Sequence, residues 1–211
     1  MKVIVVGAGG HGQVTADILL KHAASGGSLI AIGFVDDEER IWRTNILGLS
    51  VFGPIDMLDS IAHDAVVVAI GANRLRFELI KRLLSRGEQL VAAIHPSAQI
   101  AYNTAVQPGA MICAGVVVNT GSCVGEGVIV NTGATVDHHT NLASCAHIAP
   151  GVHMGGNVHV GERTLVGVGA TVLPTIRIGH DAVIGAGATV TRDVPDEVTV
   201  VGTPARVMTS V

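Results

Sequence analysis

The sequence predicts a small α/β domain over residues 1–93 followed by a parallel β-helix of hexapeptide repeats over 94–211. Three observations carry this. Composition changes along the chain, with most Lys, Arg and Leu before residue 95 and Gly, Val, Ala, Thr, Asn and His dominant after it. Strand-like and helix-like patterns alternate in the first part. In the second, an aliphatic residue recurs every six positions from Ile94, Ile100 and Val106 without insertion to Ile184 and Val190.

In the first part, Lys2–Val6 is an apolar β-branched run, hence a buried strand. Gln13–Ala24 places Val14, Ile18 and Leu19 at helical spacing, and Leu29–Val35 is a second strand ending at Asp36-Asp37. Ala65–Ile70 is a third strand. A helix over Arg74–Arg86 follows, stopped by Gly87, and Leu90–Ala93 is expected as a fourth strand. About 90 residues make half of a two-part dinucleotide fold, so the domain is Rossmann-like but incomplete.

In the second part each hexad supplies one short strand and a turn, the pattern of a β-helix. Four residues after each aliphatic position stands a small or aliphatic one, such as Ala98, Thr104, Ala110 and Val116. Glycine often comes directly after it, as at Gly125, Gly155 and Gly167. Three hexads close a triangular coil, so residues eighteen apart stack. The narrow interior leaves little room for rings, which accounts for 2% aromatic residues in a chain that is 48% hydrophobic.

Composition excludes several functions. A net charge of −4 without a basic tract speaks against nucleic-acid binding. The apolar run Val3–Val6 is too short for a signal core or a bilayer span. Cys113, Cys123 and Cys145 are odd in number and form no C-x-x-C, as expected of reduced thiols in a cytoplasmic protein without membrane insertion.

Two constellations carry chemistry. Gly7-Ala8-Gly9-Gly10-His11-Gly12 fits G-x-G-x-x-G between a strand and a helix, where backbone N–H groups and the helix dipole favour a phosphate. Asp36 follows where a ribose-binding acid would stand. With half a dinucleotide fold, a nucleotide-sugar diphosphate is favoured over NAD. In Val136-Asp137-His138-His139-Thr140, Val136 points inward and the next residues round an outer corner; Gly156, eighteen residues after His138, stacks beside it. A base beside a backbone N–H suits acyl transfer from a thioester, with His138 as proton acceptor and Gly156 as oxyanion donor.

The hexads, the Val201–Arg206 segment VGTPAR and the opening GAGGHG resemble the hexapeptide-repeat acyltransferases. More narrowly they resemble the branch of sialic-acid O-acetyltransferases and UDP-4-amino-sugar N-acetyltransferases that includes the bacillosamine-pathway enzymes. The resemblance implies a left-handed β-helix and a homotrimer with active sites between subunits. Acetyl-CoA is then the donor and the 4-amino group of a UDP-linked 4-amino-4,6-dideoxy sugar the acceptor. It puts Gly9, Gly10, His11, Asp36 and Asp37 at the sugar nucleotide with Gly71 nearby; Arg76 is either a support for that site or a solvated helix charge. It aligns His138 with the catalytic histidine and Asn131 with an active-site asparagine. His147, Val168 and Ala186 fall on positions that contact acetyl-CoA, and Gly202–Arg206 closes the coenzyme end.

The chain departs from that pattern at His139, where an acidic residue is common in the N-acetyltransferases. Asp137, or a carboxylate from a neighbouring subunit, is the candidate to orient His138 instead. His147, His153 and His159 recur every six residues and so fall on three different parts of the coil; no metal site is expected. Cys145 lies on another corner, so no covalent acyl-enzyme is expected. Two alternatives stay open: O-acetylation of a sialic acid or other sugar hydroxyl, and a catalytically inactive nucleotide-binding structural trimer.

Overall fold

The computed structural model describes residues 1–208. Its first unit is a parallel three-stranded sheet of order β2-β1-β5, built from β1 (Lys2–Val6), β2 (Ile30–Val35) and β5 (Ala65–Val68). Helix α1 (Gly10–Ala24) follows β1 and α2 (Asn73–Ser85) follows β5; a hairpin, β3 (Asn45–Ile46) and β4 (Leu49–Ser50), precedes β5. Val3 to Val6 and Ala65 to Val68 are buried on both faces, as in a covered parallel sheet. The strand alternation splits them: Val3, Val5 and Val67 pack with α1 and the second unit, whereas Ile4, Val6, Val66 and Val68 pack on Leu79, Ile80 and Leu83 of α2.

The second unit is a left-handed β-helix of about six turns. Two-residue strands run from Ala93–Ile94 to Thr189–Val190, each ending on a hexad aliphatic. They stack in parallel at the expected eighteen-residue interval, for example Val118 on Val136, Val136 on Met154 and Met154 on Val172. Three faces result. The first holds Ile129–Val130 and His147–Ile148, the second Thr135–Val136 and His153–Met154, the third Asn141–Leu142 and His159–Val160.

The turns show a regularity that the sequence reading did not identify. From Ile100 to Ile184, the third residue after each inward aliphatic adopts a left-handed backbone, whether glycine, as at Gly121 and Gly127, or not, as at His139 (φ 57°) and Cys145 (φ 56°). The glycine directly after the aliphatic serves close packing instead: a Cβ on Gly125 would lie 2.7 Å from the Leu142 carbonyl oxygen of the next coil. The expected fourth strand at Leu90–Ala93 is not one. Leu90 makes a single bridge to Val66, and Ala93 already pairs with Met111 in the β-helix. In the last coil the interval shortens to sixteen, with Ile184 beside Val200.

The two units are joined through Arg76 of α2, which is fully buried rather than solvated. Among the described residues its guanidinium donates only to oxygens that carry no formal charge. Nε reaches the Gly127 carbonyl at 2.8 Å, Nη1 that of Ile70 at 2.7 Å, and Nη2 the Cys145 carbonyl at 2.7 Å and Asn73 Oδ1 at 2.9 Å. Burial pulls its pKa down to about 10, so it stays charged at neutral pH. Asn73 adds a bond from Nδ2 to the Arg163 carbonyl at 2.8 Å. Around this joint, Thr15 of α1 touches Met111 Sδ at 3.3 Å and one apolar cluster runs from the sheet into the β-helix interior. Arg76→Met should leave these carbonyls without donors and lower unfolding free energy by about 3–5 kcal/mol, read from denaturant midpoints.

Candidate active site

The glycine loop joins β1 to α1 as expected. Gly7 has φ 100°, and a Cβ there would lie 2.7 Å from Ile70 Cδ1, while a Cβ on Gly12 would overlap the Gly7 carbonyl. Gly9 and Gly10 face open space, leaving the start of α1 accessible, and Gly9 caps it without a side chain. Asp36 and Asp37 lie beside the loop, but both already bond backbone. Asp36 Oδ2 accepts from Ala8 N–H at 2.7 Å, its Oδ1 from Glu38 N–H at 2.9 Å, and Asp37 Oδ1 from Ile55 N–H at 2.9 Å. With Gly7, Ile55, Ile70, Leu75, Leu79 and Arg82 they line a cleft of about 280 Å³. Arg82 was not identified from sequence; its signal was its place on the α2 face that carries Leu75 and Leu79.

The second group forms where the α/β unit meets the first face of the β-helix. The His11 ring rests on Gly71, where a Cβ would come within 2.6 Å of His11 Cδ2, and meets the His147 ring edge to face at 5.2 Å. His147 Nε2 lies 3.3 Å from Asn131 Nδ2, and Asn131 Oδ1 accepts from Thr132 N–H at 2.8 Å. Candidates from the substrate, coenzyme and catalytic sets thus come together. Both rings are held neutral. Burial first, then His11 and the Arg76 charge, bring the His147 pKa down to about 4; burial and Arg76 also lower that of His11. Val168 and Ala186 are exposed and stack on the corner that also carries Thr132, with Gly187 N–H donating to the Val168 carbonyl at 2.8 Å.

His138 lies elsewhere, on the corner between the second and third faces, away from the face that the α/β unit covers. Its ring lies against Gly156: a Cβ there would sit 2.6 Å from His138 Nε2. Among the described residues the Gly156 N–H has no acceptor. Asp137 does not orient the imidazole. Its Oδ1 accepts from the His138 backbone N–H and from Asn119 Nδ2, each at 2.8 Å, which lowers its pKa. The ring partner is His139, with Nδ1 to Nδ1 at 3.0 Å.

Other groups are structural. His147, His153 and His159 lie on three separate faces. His180, Asp181 and Glu197 offer ligand atoms within 4.8 Å of one another, but Asp181 is forked to Arg163 at 2.6 and 3.0 Å and paired with Arg74 at 3.2 Å. Burial raises the Cys145 thiol to about 11, away from nucleophilic reactivity.

The neutral imidazoles set a pH dependence. The folded pKa of His147 lies below its ordinary value, so between pH 6.5 and 4 the unfolded chain binds more protons. Stability should fall across that window as pH drops, with His147 contributing a loss of about 3 kcal/mol by pH 4; thermal unfolding at stepped pH checks this, and His147→Asn should flatten it.

Residues 2–83 match the family profile of the PglD N-terminal domain and residues 157–192 that of bacterial transferase hexapeptide repeats. A mutant of perosamine N-acetyltransferase from Caulobacter crescentus, solved with CoA and GDP-perosamine, is 37% identical with a TM-score of 0.91, covering 100% of this chain and 98% of that one. The acetyltransferase domain of PglB from Neisseria gonorrhoeae is 35% identical with a TM-score of 0.89, covering 98% and 99%. Galactoside O-acetyltransferase of Lactococcus lactis is 36% identical over 73 residues, 35% of this chain, and the match spans only 35% of that curated relative's length. Among the described residues no helix is long and apolar enough to cross a membrane. An N-terminal glycine loop, a hexapeptide β-helix and near-complete overlap with these structures establish that the chain belongs to the hexapeptide-repeat family of acetyl-CoA-dependent sugar amino N-acetyltransferases.

Proposed function

We propose that this protein transfers acetyl from acetyl-CoA to the 4-amino group of a UDP-linked 4-amino-4,6-dideoxy sugar, in the cytoplasm, with His138 as general base. The cleft at Asp36, Asp37 and Arg82 takes the nucleotide and the open start of α1 its diphosphate. His11, Asn131 and His147 form a neutral polar wall for the thioester end, and the corner carrying Val168 and Ala186 lies along the pantetheine. His138 Nε2 takes a proton from the amine as its nitrogen bonds to the acetyl carbon; the Gly156 N–H meets the developing oxyanion, the C–S bond breaks, and the proton passes to the departing thiolate. The resemblance to the UDP-4-amino-sugar branch supports the carrier. A GDP-linked acceptor is the second reading, favoured by the GDP-perosamine bound to the Caulobacter crescentus structures.

The observation that carries this reading is the division of the site. His138 stands on one corner of the prism, and the His11–Asn131–His147 group stands on the face that the α/β unit covers. One chain cannot bring them together, whereas neighbouring copies in a homotrimer can.

Thiol release from acetyl-CoA should proceed with the UDP-linked amino sugar, more slowly with its GDP counterpart, and fall by roughly 10²–10⁴ in His138→Ala. Release only with hydroxyl acceptors would overturn the N-acetylation reading. Refolding His138→Ala together with Asn131→Ala should restore activity to about a quarter of wild type, since one neighbouring pair in four then carries both native residues; no recovery would place the whole site within one subunit.

A further inference from the structure

We propose that His139 is a positioning residue: as a neutral hydrogen-bond acceptor it fixes the tautomer of His138, taking the place of the carboxylate expected at that position. The inference rests on the reading of His138 as the base. The two Nδ1 atoms are 3.0 Å apart, so one must carry hydrogen and the other a lone pair. If His138 donates, its Nε2 bears the lone pair and, lying against Gly156, is ready to take a proton. If His139 donates, His138 carries its hydrogen on Nε2 and cannot act as a base there.

His139 is held for this task by backbone. Its φ of 57° turns the chain, its N–H donates to the Thr120 carbonyl at 3.0 Å, and its ring lies over Gly121, where a Cβ would come within 2.7 Å of Cδ2. Among the described residues, other ionisable groups do not compete. Asp137, on the same corner, is engaged by Asn119 and the His138 backbone. Among the described residues, those stacked eighteen positions from the pair are Thr120 and Gly121 on one side and Gly156 and Asn157 on the other, none of them ionisable. When His138 becomes imidazolium, its Nδ1–H keeps the same acceptor, so proton uptake needs no rearrangement, but the partner supplies no negative charge.

The test separates tautomer from turnover. In enzyme labelled with ¹⁵N in its histidine rings, long-range ¹H–¹⁵N correlation should show His138 protonated at Nδ1 and bare at Nε2; an Nε2–H form in the wild type would overturn the proposal whatever the activity. His139→Asn puts an amide oxygen near the former Nδ1 and suits the left-handed backbone, so it should keep the tautomer and kcat within about threefold. His139→Gly also suits the backbone but removes the acceptor; it should mix the tautomers and lower kcat by roughly ten- to a hundredfold with KM unchanged. Full activity in that variant would refute the role. His139→Asp should move the acid limb of the kcat/KM profile up by about one pH unit, and an unmoved limb would count against it. Should His138→Ala retain full thiol release, the base assignment fails, while the tautomer spectrum still reports on the pair.

Discussion

A single buried guanidinium holds the relation between the two halves of this molecule. Among the described residues Arg76 has no carboxylate partner; its charge is solvated by carbonyl oxygens drawn from its own helix approach, Ile70, and from two β-helix turns, at Gly127 and Cys145. The Ile70 and Cys145 oxygens lie one residue before Gly71 and two before His147, respectively. The ion that docks the units therefore also fixes the two backbone segments on which the His11–His147 contact rests. Its field then helps keep both imidazoles neutral, so docking and the electrostatics of the candidate site share one cause.

The β-helix contributes a ruler. Inward aliphatics and small corner residues take two of every six positions, and the others face outward at fixed intervals. Chemistry can then be written on the outside without disturbing the core. Gly156 stands beside His138 because eighteen residues complete a coil. A larger residue there would push the ring aside, so the packing alone requires glycine.

What was legible in the sequence follows from range. The hexads are local and uninterrupted, so strands, stacking and the His138–Gly156 pair could be read from spacing alone. The left-handed turn residues were hidden because glycine occupies only some of them, with His139 and Cys145 among the rest. Arg76 could be read either as a support for the glycine-loop site or as a solvated helix charge, since its partners Gly127 and Cys145 are remote in sequence. Leu90–Ala93 has a strand's composition, yet Ala93 follows the β-helix ladder instead of the sheet. Asp36 occupies the place of a ribose-binding acid, but only the structure shows its carboxylate bracing the glycine loop through Ala8.

The separation of the His138 corner from the His11–His147 face has a kinetic meaning. Under the homotrimeric arrangement proposed above, a newly folded chain possesses every catalytic group and still cannot react, because its base and its thioester wall belong to different sites. Activity per chain then rises with the concentration of chains, and idle acetyl-CoA is safe from unassembled subunits. Assembly becomes the step that commits the donor, with no separate inhibitor needed to protect it.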